Sequence, residues 1–158
     1  MPKTLRFFKE QGRTFTSAFA TTPLCCPSRA SIFSGRYAHR HGVKNNDLAH
    51  ALDHDATLQA YLQEIGYRTA IAGKYLNSWK EAEVDPPYFD RWAVIDDSSY
   101  GNVYYDFTAN INGRVAEPSG YSTDFIGRRS VRFLNDFEGD EEAPWFLYVA
   151  PFASHKPF

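Results

Sequence analysis

Alternating helix and strand signals, closed by a strand that is apolar on both faces, predict an α/β fold with a largely parallel sheet flanked by helices. Three observations carry this. Leu58, Tyr61, Leu62 and Ile65 recur at the spacing of one helical face, and Gly66 ends the pattern. YRTAIA, residues 67–72, follows at once as a strand and runs into Gly73-Lys74. WFLYVA, residues 145–150, has no polar position on either face, the pattern of a strand in the middle of a parallel sheet.

The remaining elements follow in chain order. Met1, Leu5 and Phe8 share a helical face that Gly12 stops. TFTSAFA, residues 14–20, alternates polar with apolar or small residues and is expected as a short strand. A helix is expected from Pro27, because proline suits the first helical position. WAVIDD and VYYDFTANINGRV read as strand and hairpin, with Asn112-Gly113 at the turn. Ile126, Phe133, Leu134 and Phe137 mark a further helix, opened by Ser122 or Thr123 and ended at Gly139. No repeat or low-complexity linker divides these elements, and 158 residues suit one domain.

Composition narrows the function. Apolar residues make up 43% of the chain and aromatics 16%, enough to build a core. A formal charge of -2 without a basic stripe argues against nucleic acid as a partner. WFLYVA is far too short for a membrane span, and MPKTLRFFKEQG has no signal-peptide core, so the sequence leaves localisation open. Adjacent Cys25 and Cys26 make neither a disulfide framework nor a zinc site.

Those two cysteines head the stretch CCPSRASIFSGRYAHRHGV. With a helix starting at Pro27, Cys25 sits at its N-terminus and Arg29 lies four residues on, close to one face. Helix N–H groups and a guanidinium together favour an anion, and they lower the pKa of a neighbouring thiol. The functional reading is a cysteine-derived nucleophile facing a tetrahedral oxyanion. The bland alternative is a small buried residue beside a helix cap.

Cys25-x-Pro27-Ser28-Arg29, followed by Gly35, resembles the signature of the sulfatases, formylglycine-dependent members of the alkaline-phosphatase-like superfamily. The doubled CCPSRAS with GRYAHRHGV resembles the branch of the N-acetylglucosamine-6-sulfatases. GYRTAIAGKYLN, residues 66–77, is similar to the family's second signature, and PWFLYVAPFASHKPF to its strand-then-HxP segment. The resemblance implies that a formylglycine-generating enzyme oxidises Cys25 to formylglycine (3-oxoalanine), while Cys26 holds a packing position. It implies sulfate contacts for Arg29 and Lys74, a substrate contact for Asn77, and a general acid in His155. Many arylsulfatases carry a His shortly after the Lys, where this chain has Leu76 and Asn77, and that departure selects the glucosamine-6-sulfatase branch.

The implied activity is hydrolysis of a sulfate ester of a sugar or aryl alcohol. One oxygen of the hydrated aldehyde attacks sulfur, the alcohol leaves with a proton, and the second hydroxyl collapses to expel sulfate. The family also implies one calcium ion, bound by formylglycine 25 with an Asp-Asp pair before the MPKT helix and an Asp-Asn pair beyond Phe158. Residues 1–158 are therefore expected to be a partial catalytic domain without its first strand and C-terminal part, inactive alone. Asp96-Asp97 falls after the Cys and Lys blocks and reads as a loop dyad, not a metal site. His39 and His41 are expected as structural or rim residues. No role is expected for His50, His54 or Lys156. Three Cys-to-Arg intervening residues disfavour a cysteine phosphatase, and a phosphodiesterase or phosphatase of the same superfamily would carry Thr or Ser at position 25. An inactive fragment remains the third reading.

Overall fold

The computed structural model describes residues 2–80, 83–96, 103–139 and 143–155. Met1, Asp97, Lys156 and Phe158, named above, lie outside these described residues. The elements are α1 (Pro2–Thr4), continued by a π-helical turn Leu5–Lys9, then α2 (Cys25–Ser34), α3 (Ala38–His41) and α4 (Leu58–Glu64). Strands β1 (Arg68–Gly73), β2 (Arg91–Ile95), β3 (Ala109–Ile111) and β4 (Arg114–Ala116) follow, then α5 (Ser122–Glu138) and β5 (Trp145–Ala150).

The five strands form one mixed sheet in the order β4-β3-β2-β1-β5. β1 pairs parallel with β2 on one side, Ala70 opposite Arg91, and with β5 on the other, Arg68 opposite Trp145. β2, β3 and β4 run antiparallel. Asn112 and Gly113 turn the β3–β4 hairpin with φ of 49° and 81°, the left-handed pair that a two-residue turn needs.

Side chains on successive strand positions point to opposite faces, and here each face has its own core. Ala70, Ala72, Ala93 and Ile95 join Phe107 and, from α5, Phe125, Ile126, Phe133 and Phe137. Ile71 and Val94 join the other cluster with Cys26, Ala30 and Phe33 of α2 and the loop residues Tyr75, Leu76 and Phe89. The small side chains of β1 let large phenylalanines approach the sheet from α5. Asp90 fastens the start of β1, its carboxylate accepting from the Thr69 amide at 2.7 Å.

Four expectations change. Residues 14–20 form no strand, and Phe15 and Phe19 are 77% and 89% exposed. Alternation suits a strand but does not make one, because the ladder needs a paired neighbour and no described residue supplies it. α2 begins at Cys25, not Pro27, so proline occupies its third position, where a helix still needs no N–H from it. α4 exists as expected, but Leu58, Tyr61 and Ile65 stay exposed and Gln59 is the residue it buries. β5 lies at the edge of the described sheet, with β1 beside it as an inner strand. Its two-faced apolar pattern has a different cause: Leu147 packs on the α5 cluster while Phe146 and Tyr148 pack on the α2 cluster.

Gly73 ends β1 with φ of 108°, and a Cβ there would lie 2.1 Å from the Ala150 carbonyl oxygen. Gly66 also has positive φ, 90°, but open space around it. Gly73→Ala should therefore lower unfolding free energy by about 3 kcal/mol or more, against about 1–2 for Gly66→Ala, in urea denaturation. Equal urea midpoints for the two variants would contradict this packing.

Candidate functional site

α2 starts without a side-chain cap from Leu24, and its first turn is satisfied by other means. The Cys26 amide donates to Asn46 Oδ1 at 3.0 Å, Pro27 has no amide, and the Ser28 amide makes the first helical bond to the Leu24 carbonyl. The row of helix N–H groups expected to hold an anion is thus shorter than the sequence reading supposed. Arg29 lies on the second turn of the same helix. Nη1 donates to the Cys25 carbonyl at 3.2 Å, and its buried Nε has no hydrogen-bond partner among the described residues. Cys25 itself is partly exposed, whereas Cys26 is completely buried.

The second part of the site comes off the C-terminal end of β1. After the Gly73 bend, the Lys74 amide donates to the Ala150 carbonyl at 2.8 Å, which ties the departing chain to the end of β5. The Lys74 side chain, only 5% exposed, carries Nζ 5.1 Å from the ring centroid of Phe152, a cation–π contact. Asn77 is 2% exposed, and its carbonyl receives the weak Cys26 S–H donor at 3.7 Å. Phe33 of α2 packs its ring 5.4 Å from that of Tyr75. These contacts join α2 to the loop bearing Lys74 and Asn77.

β5 supplies the third side. Tyr148 packs 4.9 Å from Phe33 and meets Arg29, which offsets part of the upward push that burial gives its phenol pKa. Three residues beyond Phe152, exposed His155 is held by its main chain, its N–H bonded to the Phe152 carbonyl and its carbonyl accepting from Tyr104 Oη at 2.6 Å. The structure thus joins the helix bearing Cys25 and Arg29 to the loop bearing Lys74 and Asn77, and sets His155 on the segment against which Lys74 packs.

Other sequence candidates sort clearly. His41 is 6% exposed; Nδ1 accepts the Val43 amide, so Nε2 carries the proton and donates to Ser31 Oγ at 3.0 Å. It is a structural residue. His39 stacks on Tyr37 at the rim of a cavity of about 460 Å³, also lined by Thr21, Thr22 and Lys44. Asp96 extends the β2–β3 ladder through its amide to the Thr108 carbonyl. Among the described residues no three His, Cys, Asp or Glu side chains gather as a metal site. No described helix is long and apolar enough to cross a membrane. Sequence reasoning missed Asn46, Tyr148 and His54, whose roles come from distant partners; the polar run Asn45-Asn46-Asp47, with its own Asp47-to-Asn45 bond, was the one local signal.

The sulfatase family model matches residues 1–158 in full. The chain belongs to the sulfatase family. It is 38% identical to an extracellular sulfatase Sulf-1 homologue of Caenorhabditis elegans, covering 99% of this chain and 23% of that protein. It is 34% identical to the N-acetylglucosamine-6-sulfatase of Homo sapiens, covering 100% of this chain and 31% of the relative. A solved structure in complex with its substrate D-glucosamine-2-N,6-O-disulfate superposes with a TM-score of 0.75 at 29% identity, over 90% of this chain and 27% of that one. The architecture is therefore the alkaline-phosphatase-like fold of sulfatases, and the chain spans less than a third of these relatives.

Burial holds the pKa values of His41 and His54 below their ordinary 6.5. The folded state therefore binds fewer protons than the unfolded chain as pH falls through that value, and folding loses free energy on acidification. Stability should be complete above about pH 7 and decline from about 6.5 downward until the lowered folded values are passed. Urea midpoints at pH 7.5 and 5.0 check this, and His41→Gln should flatten part of the slope.

Proposed function

We propose that the protein hydrolyses sulfate esters and that its substrate is the 6-sulfate of a glucosamine-type sugar. The carrying observation is the packing of α2, which bears Cys25 and Arg29, on the loop after β1, which bears Lys74 and Asn77. The glucosamine preference is supported by the relatives named above and by the sugar disulfate held in the similar structure. Aryl sulfates are the weaker alternative.

In this reading a formylglycine-generating enzyme oxidises Cys25. The resulting group supplies an oxygen nucleophile that can release sulfate again after the ester is cleaved. The chain's own residues do the rest. α2 holds residue 25 at its first turn, partly open to solvent, while buried Cys26 anchors the turn to Asn77. Arg29 and Lys74 face the sulfuryl oxygens and oppose charge that grows toward the transition state, a large term when the donors are preorganised. Asn77 contacts the sugar, and His155 gives its proton to the departing alcohol oxygen.

Calcium is the family's usual ion, and the described residues do not fit it. A hard cation takes about six to eight oxygen ligands, and no group of three carboxylate, His or Cys side chains is present among the described residues. Residues 1–158 alone are accordingly expected to give no appreciable hydrolysis even with Cys25 converted, because Arg29 and Lys74 would face the combined negative charge unaided. Activity within tenfold of the complete reading frame, assayed side by side with calcium on glucosamine-6-sulfate and an aryl sulfate, would direct attention to Asp96 and Asp97.

Peptide mass spectrometry after co-expression with the maturation enzyme should find the aldehyde at residue 25 and a thiol at residue 26. In the complete reading frame Lys74→Ala and His155→Ala should each lower turnover about a hundredfold or more. An aldehyde at residue 26, or near-normal turnover of the Lys74 variant, would overturn the reading.

A further inference from the structure

His54 and Tyr75 form a polar contact at the heart of an otherwise aromatic cluster. His54 lies in a short 3-10 turn, His54–Ala56, whose entry is capped by the Asp53 carboxylate accepting from the Asp55 amide. Its Nδ1 and the Tyr75 hydroxyl are 3.1 Å apart. The imidazole meets the Trp79 ring edge-on at 4.8 Å, and Trp79 in turn meets Tyr75 at 5.3 Å. Tyr75 is fully buried and also packs on Phe33 of α2 and Phe89. Both Tyr75 and Trp79 belong to the stretch that follows Gly73, on either side of Asn77 and directly after Lys74.

The rest of this stretch is held from other directions. Cys26 Sγ reaches the Asn77 carbonyl, Ser78 Oγ donates to the Asn46 carbonyl at 3.1 Å, and Trp79 Nε1 donates to the Val84 carbonyl at 3.2 Å. The His54 side chain packs against both aromatic rings, Tyr75 and Trp79, which flank Leu76 to Ser78 directly after Lys74. The hydrogen bond to Tyr75 fixes the rotational position of the imidazole against these rings.

We propose that His54 is a positioning residue for sulfate-ester hydrolysis, holding Lys74 and Asn77 in register with Cys25 through its hydrogen bond to Tyr75 and its edge contact with Trp79. This rests on the sulfatase reading of the site. Displacement of a charged contact by about 1 Å can lower turnover by up to about a hundredfold, so the latch need not touch substrate to matter.

The latch works with a neutral imidazole. His54 Nε2 is buried with no hydrogen-bond partner among the described residues, so a proton added to the ring would bring charge into an aromatic setting. The ionisable groups near it are Asp53 and Asp55 on its own turn, Tyr75 from the loop after β1, and Tyr88, whose hydroxyl bonds Asp55. Burial outweighs the two carboxylates and keeps the imidazole pKa below its usual value. Acidification should therefore release the latch.

The test uses the complete reading frame, matured and assayed on glucosamine-6-sulfate. Tyr75→Phe removes only the hydroxyl, and His54→Leu removes the ring nitrogens; each should lower kcat about tenfold with KM changed less than about twofold. His54→Asn offers an amide group at the place of Nδ1 and should retain kcat within about threefold. Trp emission should titrate below neutral pH in the parent protein and lose that transition in both His54→Asn and Trp79→Phe. Wild-type kcat in Tyr75→Phe and His54→Leu, beside a crippled Lys74→Ala, would overturn the latch and leave the site reading intact. Normal turnover in Lys74→Ala would overturn both.

Discussion

The bend at Gly73 is the constraint on which the rest of the structure depends. β1 is an inner strand, paired on both edges, and such a strand has nowhere to go at its end except out of the sheet plane. The Ala150 carbonyl sits so close that no side chain fits there, and it accepts the Lys74 amide directly after the bend. One carbonyl of β5 therefore sets where the following lysine leaves the sheet. Ligand sites of open α/β sheets collect at such strand ends because the turning chain exposes polar groups there without disturbing the core.

Much of the fold was legible because it is written in local pattern. The hairpin followed from Asn112-Gly113, α5 from the spacing of Ile126, Phe133 and Phe137, and β1 from a short run after a glycine stop. What misled was alternation without a partner in residues 14–20, and an apolar stripe on α4 that nothing described covers. Pairing and covering are properties of distant segments, so a window of a dozen residues cannot contain them. The same holds for β5, whose placement depends on the order of strands and not on its own composition.

The site divides along the same line. Cys25, Arg29 and Lys74 stood out because each belongs to a compact motif with a chemical reason for its spacing. Asn46, which takes the Cys26 amide, Tyr148, which meets Arg29, and His54, which meets Tyr75, carry no such local mark. Their partners are twenty or more residues away in sequence. The motif residues are thus legible in the chain, and the groups that pack against their segments become visible only when it folds.

The pairing of β1 with β5 also has a consequence in time. Residue 68 must find residue 145, whereas β3 and β4 meet across two turn residues. Contacts distant in sequence pay their loop-closure entropy before they return any energy, so they close late. Ala150, Phe152 and Tyr148, against which Lys74 and Arg29 pack, all ride on that late-closing segment. On a growing chain the helix carrying Cys25 and Arg29 would be complete while the β5 segment they pack toward was still being synthesised, leaving an interval in which residue 25 is reachable.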